Sequence, residues 1–243
     1  MKKLKNTAII LTGVLALTAV APLAASATPS TGIETNDQSI HEVEINSPSD
    51  YIKWLKGKDG AEETLQQFSD LSESDQDKFV KYINDPEINK TLVDAMATSN
   101  GEKVSLYGGD VTVTATQEQS KPVKISPQVA DYAVSQRATS TILGVDVVQV
   151  SERVEYRVEG TSSNQRVSQV LNGGGTINRY WVPMGRMDVK DDKGYVNSSG
   201  KLAVQRSVFT TSFVHPKLGA TIGTNTFVIY GNVKGQLDSW VFN

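Results

Sequence analysis

The chain has 243 residues, with 24 Lys and Arg against 27 Asp and Glu, a formal charge of −3. It has no cysteine, which excludes disulfide frameworks, thiol nucleophiles, zinc knuckles and iron–sulfur clusters. Its basic residues form no patch of the strength that nucleic acid requires, so no nucleic-acid partner is expected.

The first stretch reads as a targeting segment. Lys2, Lys3 and Lys5 precede a mostly apolar run from Thr7 to Leu23, and Ala25-Ser26-Ala27 has the small-x-small form of a cleavage site. This pattern predicts a secretory signal peptide over 1–27, cleaved after Ala27, and a secreted, extracellular product. An uncleaved membrane anchor is the rival reading, and Pro22 within the run speaks against it. No later run approaches the ~20 apolar residues that a membrane helix needs. Export without cysteines fits a bacterial source.

Beyond the signal the charge is divided. Residues 28–98 carry a net −9 and residues 99–243 a net +3. The change of sign, together with a change of texture near Asn100, predicts separate units. Residues 28–46 are polar and acidic and read as a flexible leader. His41-Glu42-Val43-Glu44 lies in it, and a lone His with loose carboxylates makes no fixed metal site.

Residues 47–100 read as a helical unit. Ser47-Pro48-Ser49-Asp50 supplies a cap, a proline at the first helical position and an early carboxylate. Tyr51, Ile52, Trp54 and Leu55 follow as an apolar face, ended by Gly57. Asp59 is the expected cap of a second helix bearing Leu65, Phe68 and Leu71. Ser72-Glu73-Ser74-Asp75 opens a third, which carries Phe79, Val80 and Ile83. After Asp85-Pro86, Ile88, Leu92, Ala95 and Met96 share one face of a fourth. Such short helices need tertiary packing, so they are expected to fold into a small bundle or to lie against the β domain.

Residues 103–243 have the texture of an antiparallel β domain. Val111, Val113 and Ala115 alternate with threonines, a half-buried strand. Lys121 to Pro127 reads as extended, and Val129 to Ser140 as a helical turn or a loop. The central stretch alternates: Val154, Tyr156 and Val158 point one way and Arg153, Glu155, Arg157 and Glu159 the other. Glu152, Glu155 and Glu159 are read together as a solvated strand face. Asn172-Gly173-Gly174-Gly175 is read as a turn, as are Asp191 to Gly194, Asn197 to Gly200 and Asn232 to Gly235. The fold class expected is therefore α+β: a small N-terminal helical unit, then a larger antiparallel β sandwich or barrel-like domain.

The chemical inventory is poor. His41 and His215 are the two histidines, and no Gly-x-Ser-x-Gly elbow presents a nucleophile to either. Ser198 and Lys201 match Ser-x-x-Lys, but in a turn rather than on a helix. Asp188, Asp191 and Asp192 lack the loop that would hold calcium. The glycine run lacks the Gly-Lys-Ser/Thr of a phosphate loop. No cofactor and no metal is expected, no residue is assigned a catalytic role, and the balance points away from an enzyme.

The leading expectation is a non-enzymatic secreted bacterial protein that binds an extracellular ligand or cell-surface component. Trp54, Tyr180, Trp181 and His215 are the ligand-binding candidates. A membrane-active, bacteriocin-like or pore-forming toxin is one alternative. It rests on the Ser/Thr-rich runs Ser207 to Val214 and Ala220 to Tyr230, which have the alternation of a membrane-inserting hairpin. In the competing reading, Phe209, Phe213, Phe227 and Ile229 are interior to a β domain. A hydrolase using His215 is the other alternative.

Overall fold

The computed structural model describes residue 43 and residues 45–98, 102–215 and 219–243, apart from the side chains at 97–98, 215 and 219–221. The signal segment, His41 and most of the acidic leader lie outside the described residues. The described residues belong to one compact unit. The fold is α+β, with four helices followed by antiparallel sheets. Among the described residues, no helix is long and apolar enough to cross a membrane.

The helices are α1 (Pro48–Lys56), α2 (Glu62–Ser69), α3 (Glu73–Ile83) and α4 (Pro86–Thr98). Local chemistry sets most of their starts. Ser47 caps α1, accepting from the Asp50 N–H with Pro48 behind it, and Ser72 caps α3 by accepting from the Asp75 N–H. The Asp85 carboxylate accepts from the backbone N–H of Glu87 and Ile88 at the start of α4. The start of α2 differs from expectation: its cap position is Ala61, not Asp59, and no side chain bonds there. Ala61 is itself buried, so packing fixes that start. Ile45 is buried, and its carbonyl accepts from Asn84 Nδ2 at 2.6 Å.

The strands are β1 (Val104–Leu106), β2 (Val111–Gln119), β3 (Val123–Ser126), β4 (Val129–Ile142), β5 (Val145–Glu159), β6 (Arg166–Tyr180), β7 (Gly185–Asp191), β8 (Tyr195–Val196), β9 (Leu202–His215), β10 (Gly219–Asn232) and β11 (Leu237–Phe242). The first sheet has the order β1-β2-β4-β5-β6, with β3 also paired to β4. The second has the order β11-β10-β9-β7, with β8 on β9. Residues 129–142 are thus a long strand rather than a turn or loop. Pairing with β2 and β3 on one side and β5 on the other outweighs the weak helical spacing of Val129, Tyr132 and Ala133. Leu143 and Gly144 join β4 to β5 with φ of 51° and 85°, the left-handed pair that a two-residue hairpin requires.

On β5 the alternation holds. Val150, Val154, Tyr156 and Val158 are buried, and Arg153, Glu155, Arg157 and Glu159 face outward. On β9 and β10, Phe209, Phe213, Phe227 and Ile229 are interior. These two strands form the middle of their sheet, with β7 and β11 on either side.

One apolar cluster runs through helices and sheets together, including Tyr51, Phe68, Phe79, Leu92 and Met96 with Val113, Ala138, Val150, Phe209 and Phe227. Helix α4 lies against β2, β4, β9, β10 and β11, and α2 lies against β5. Polar contacts stitch the same seam. Tyr51 donates to the Trp181 carbonyl at 3.0 Å, and Thr64 donates to the Asp146 carbonyl at 3.1 Å. Arg179 pairs with Glu63 at 2.6 Å and Asp146 at 3.0 Å, and Lys78 pairs with Asp110 at 2.6 Å. The Arg179–Glu63 pair joins the net-positive segment to the net-negative one, Lys78–Asp110 runs in the opposite sense, and the apolar cluster is what joins the segments.

Candidate functional site

The run Asn172-Gly173-Gly174-Gly175 is not a turn. It lies inside β6, where Asn172, Gly173, Gly174 and Gly175 face Glu155, Val154, Arg153 and Glu152 of β5. Turn composition and strand position look alike in sequence here, and the reason for the glycines is external to the strand. A Cβ on Gly175 would lie 2.6 Å from Phe209 Cζ, 2.8 Å from Val189 Cγ2 and 2.9 Å from Ser207 Cβ. A Cβ on Gly174 would lie 2.6 Å from Asp191 Oδ2. The missing side chains let β7 and β9 of the second sheet come close to β6 of the first.

This close approach has a testable cost. In Gly175→Ala, three side chains must shift at once, so the variant is expected to lose about 1–3 kcal/mol, as overpacked cores do. Urea unfolding measures it. Gly223→Ala is the control, because a Cβ there meets nothing within 4 Å, and its midpoint is expected to match the parent chain.

Beside the glycines is a cleft of 260 Å³ lined by Arg153, Glu155, Asn172, Gly173, Gly174, Gly175, Thr176 and Asp191. Its lining is polar. Arg153 Nη2 donates to Glu155 Oε1 at 2.5 Å, and the pair stands partly exposed. Asn172 makes no side-chain hydrogen bond among the described residues. On the inner side Asp191 Oδ1 accepts from the Gly175 N–H at 2.8 Å and lies 2.7 Å from Ser207 Oγ. The same Ser207 oxygen lies 2.8 Å from Glu152 Oε1.

Glu152 departs from the sequence expectation. It is 0 % exposed, faces the second sheet, and its Oε2 has no hydrogen-bond partner among the described residues. Burial pushes its carboxyl up to about 8 from the ordinary 4.5, the Ser207 hydrogen bond opposes this, and the Asp191 charge adds to it. The signal for this placement was present in the sequence. Residue 152 has the parity of 154, 156 and 158, the inward set. Reading it with Glu155 and Glu159 as a solvated face let charge override period.

The residues named as ligand candidates fall in different places. Trp54 and Trp181 meet edge to face at 6.4 Å, and Lys58 Nζ stands 5.1 Å over the Trp54 ring. Both indoles pack, half-buried, against the core at the seam between α1 and the first sheet. Tyr180 points elsewhere. Its hydroxyl lies where a Cβ on Gly185 would be 2.6 Å away, and burial raises its pKa. It lines a 20 Å³ recess between α4 and the β9–β10 hairpin, room for about one water. His215 ends β9, and its side chain lies outside the described residues. The structure therefore brings Trp54 and Trp181 together and leaves Tyr180 apart.

The weaker motifs separate as well. Asp188 pairs with Arg186 at 2.7 Å, Asp192 with Arg206 at 3.4 Å, and Asp191 turns inward to Ser207. Among the described residues no group of three or more acidic or histidine side chains could hold a metal ion. Lys201 Nζ donates to the Gln165 carbonyl at 2.5 Å, while Ser199 bonds Asn197. Against this geometry, comparison with protein-family models, curated proteins and solved structures finds no match to the chain.

Proposed function

We propose that this chain is a non-enzymatic binding protein exported by a bacterial cell, and that it takes a hydrogen-bonding ligand of the cell exterior in the cleft on β5, β6 and β7. The observation that carries this reading is the cleft's lining: a guanidinium, two carboxylates, a free amide and a floor of glycine backbone within 260 Å³. Small-ligand sites use a few such convergent polar groups to fix orientation. The absence of an aromatic wall favours a ligand held by hydrogen bonds, and a cell-surface carbohydrate has that chemistry. Export is supported by Lys2, Lys3, Lys5 and the Ala25-Ser26-Ala27 pattern. A non-catalytic role is supported by the burial of Glu152, the one strongly shifted carboxyl among the described residues, since a group without access cannot reach a substrate.

The chain from Thr28 onward, applied to an array of bacterial and host glycans, is expected to bind a restricted set. A double variant Arg153→Ala and Asn172→Ala is expected to lose at least tenfold in affinity, about 1.4 kcal/mol, with its thermal midpoint unchanged. Both side chains lie at the rim, so stability and binding separate in this pair. Binding that survives the double variant would remove the cleft from the reading. Dye release from liposomes, or turnover of chromogenic ester, peptide or glycoside substrates, would replace the binder with the toxin or the hydrolase.

A further inference from the structure

The trio beneath the cleft poses a proton-counting problem. Ser207 Oγ lies 2.8 Å from Glu152 Oε1 and 2.7 Å from Asp191 Oδ1. A serine hydroxyl has one proton to donate. Two short contacts to two ionised carboxylates would leave one oxygen pair with no hydrogen between them, at a serine and a glutamate that are both fully buried. A second proton must therefore be held by one of the acids. Asp191 Oδ1 already accepts the Gly175 N–H and lies at the wet side of the trio. Glu152 is fully enclosed and accepts from no backbone group, so it is the acid that carries the proton. The chain of donors then runs from the Glu152 carboxylic acid to Ser207 Oγ, and from the Ser207 hydroxyl to the Asp191 carboxylate.

We propose that Glu152, Ser207 and Asp191 form a proton-operated clasp between the two sheets, closed while Glu152 is protonated and loosened when it ionises. The three residues come from β5, β9 and β7, so the chain of hydrogen bonds crosses from the first sheet to the second. It does so where the glycines of β6 bring the sheets together. Loss of the proton leaves the Glu152 carboxylate without its donated bond and places a second negative charge beside Asp191. Among the described residues nothing near Glu152 offsets that charge. Its cross-strand neighbour on β4 is Gln136, on β6 it is Gly175, and β9 contributes Ser207. Arg153 is next in sequence but faces the outer side and is engaged by Glu155. Asp191 of β7 is the one charged group among the described residues that faces Glu152, and it repels.

The sign follows from linkage. The folded chain holds the Glu152 proton more tightly than the unfolded chain does, so its contribution is fully present below pH 4.5 and is lost as the pH rises through about 8. Across that window the folding equilibrium constant falls by up to about tenfold per pH unit from this one group. Asp191 also lines the cleft, so the clasp sets the position of one wall of that cavity. The inference does not depend on what the cleft binds.

Infrared titration of the folded chain tests it. A protonated carboxylic acid band is expected at pH 7, lost as the pH passes about 8 and absent in Glu152→Gln. Glutamine keeps the shape and the donor of the protonated acid, so Glu152→Gln is expected to flatten the fall of thermal midpoint between pH 5 and about 8. Absence of the band in the parent chain at pH 7 would overturn the proposal, as would an unchanged pH slope in Glu152→Gln. Should that variant fail to fold, Asp191→Asn decides the matter: it removes the repelling charge and is expected to lower the pH at which the band disappears, and an unchanged pH would overturn the proposal.

Discussion

Tyr51→Ala is expected to cost about 3–5 kcal/mol, the range for truncating a fully buried large aromatic. Tyr51 is 0 % exposed. Its ring lies 5.0 Å from both Phe68 and Phe79 and 5.7 Å from Trp54, so it joins α1, α2 and α3. Its hydroxyl donates to the Trp181 carbonyl at 3.0 Å, and burial holds the phenol protonated far above its ordinary range. Tyr51 therefore ties α1, α2 and α3 to the chain that leaves β6. Tyr51→Phe keeps the ring and is expected to cost only about 0.5–1.5 kcal/mol, the net value of one hydrogen bond. Trp54→Ala is expected to fall well below Tyr51→Ala, because Trp54 is half-buried with Lys58 over its outer face. Urea unfolding followed by circular dichroism measures all three. A cost for Trp54→Ala equal to that of Tyr51→Ala would move the anchor of the helices to the Trp54–Trp181 pair.

A chain beginning at residue 103 is expected to show no cooperative thermal transition. Ile88, Leu92, Val93 and Met96 of α4 are buried, and α4 lies against five strands drawn from both sheets. Removing one buried Leu or Met side chain costs about 2–5 kcal/mol, and a whole domain is stable by only about 5–15 kcal/mol. Losing this face of α4 therefore exhausts the margin, before Tyr51, Phe68 and Phe79 are considered. Polar seams are broken too: Ser140 Oγ, buried on β4, loses its acceptor at the Leu92 carbonyl. Calorimetry of the 103–243 fragment is the measurement, with dye binding to exposed apolar surface as a second readout. A sharp transition in that fragment would restore the β segment as a domain of its own.

Local rules were legible wherever short-range physics decides. Ser47-Pro48 and Ser72 marked helix starts because a side-chain oxygen reaches the first free N–H groups within three residues. The face of Ile88, Leu92, Ala95 and Met96 was readable from its spacing, and all four are buried. The same holds for Val154, Tyr156 and Val158, whose parity gave the core side of β5. Composition also excluded cysteine chemistry outright. What stayed hidden depended on contacts between residues distant in sequence. Glycines at 173–175 look like a turn until β7 and β9 press against them, since the side-chain atoms that forbid a Cβ belong to residues 189, 191, 205, 207 and 209. The sharing of one core by the helices and both sheets was masked by the change of charge sign near Asn100, which describes surface groups and says little about buried ones. Glu152 was half legible: its parity was in the sequence, but its partners Ser207 and Asp191 lie 55 and 39 residues away along the chain. Only the packing of one sheet on the other encloses that carboxyl, and enclosure is what holds a proton on it.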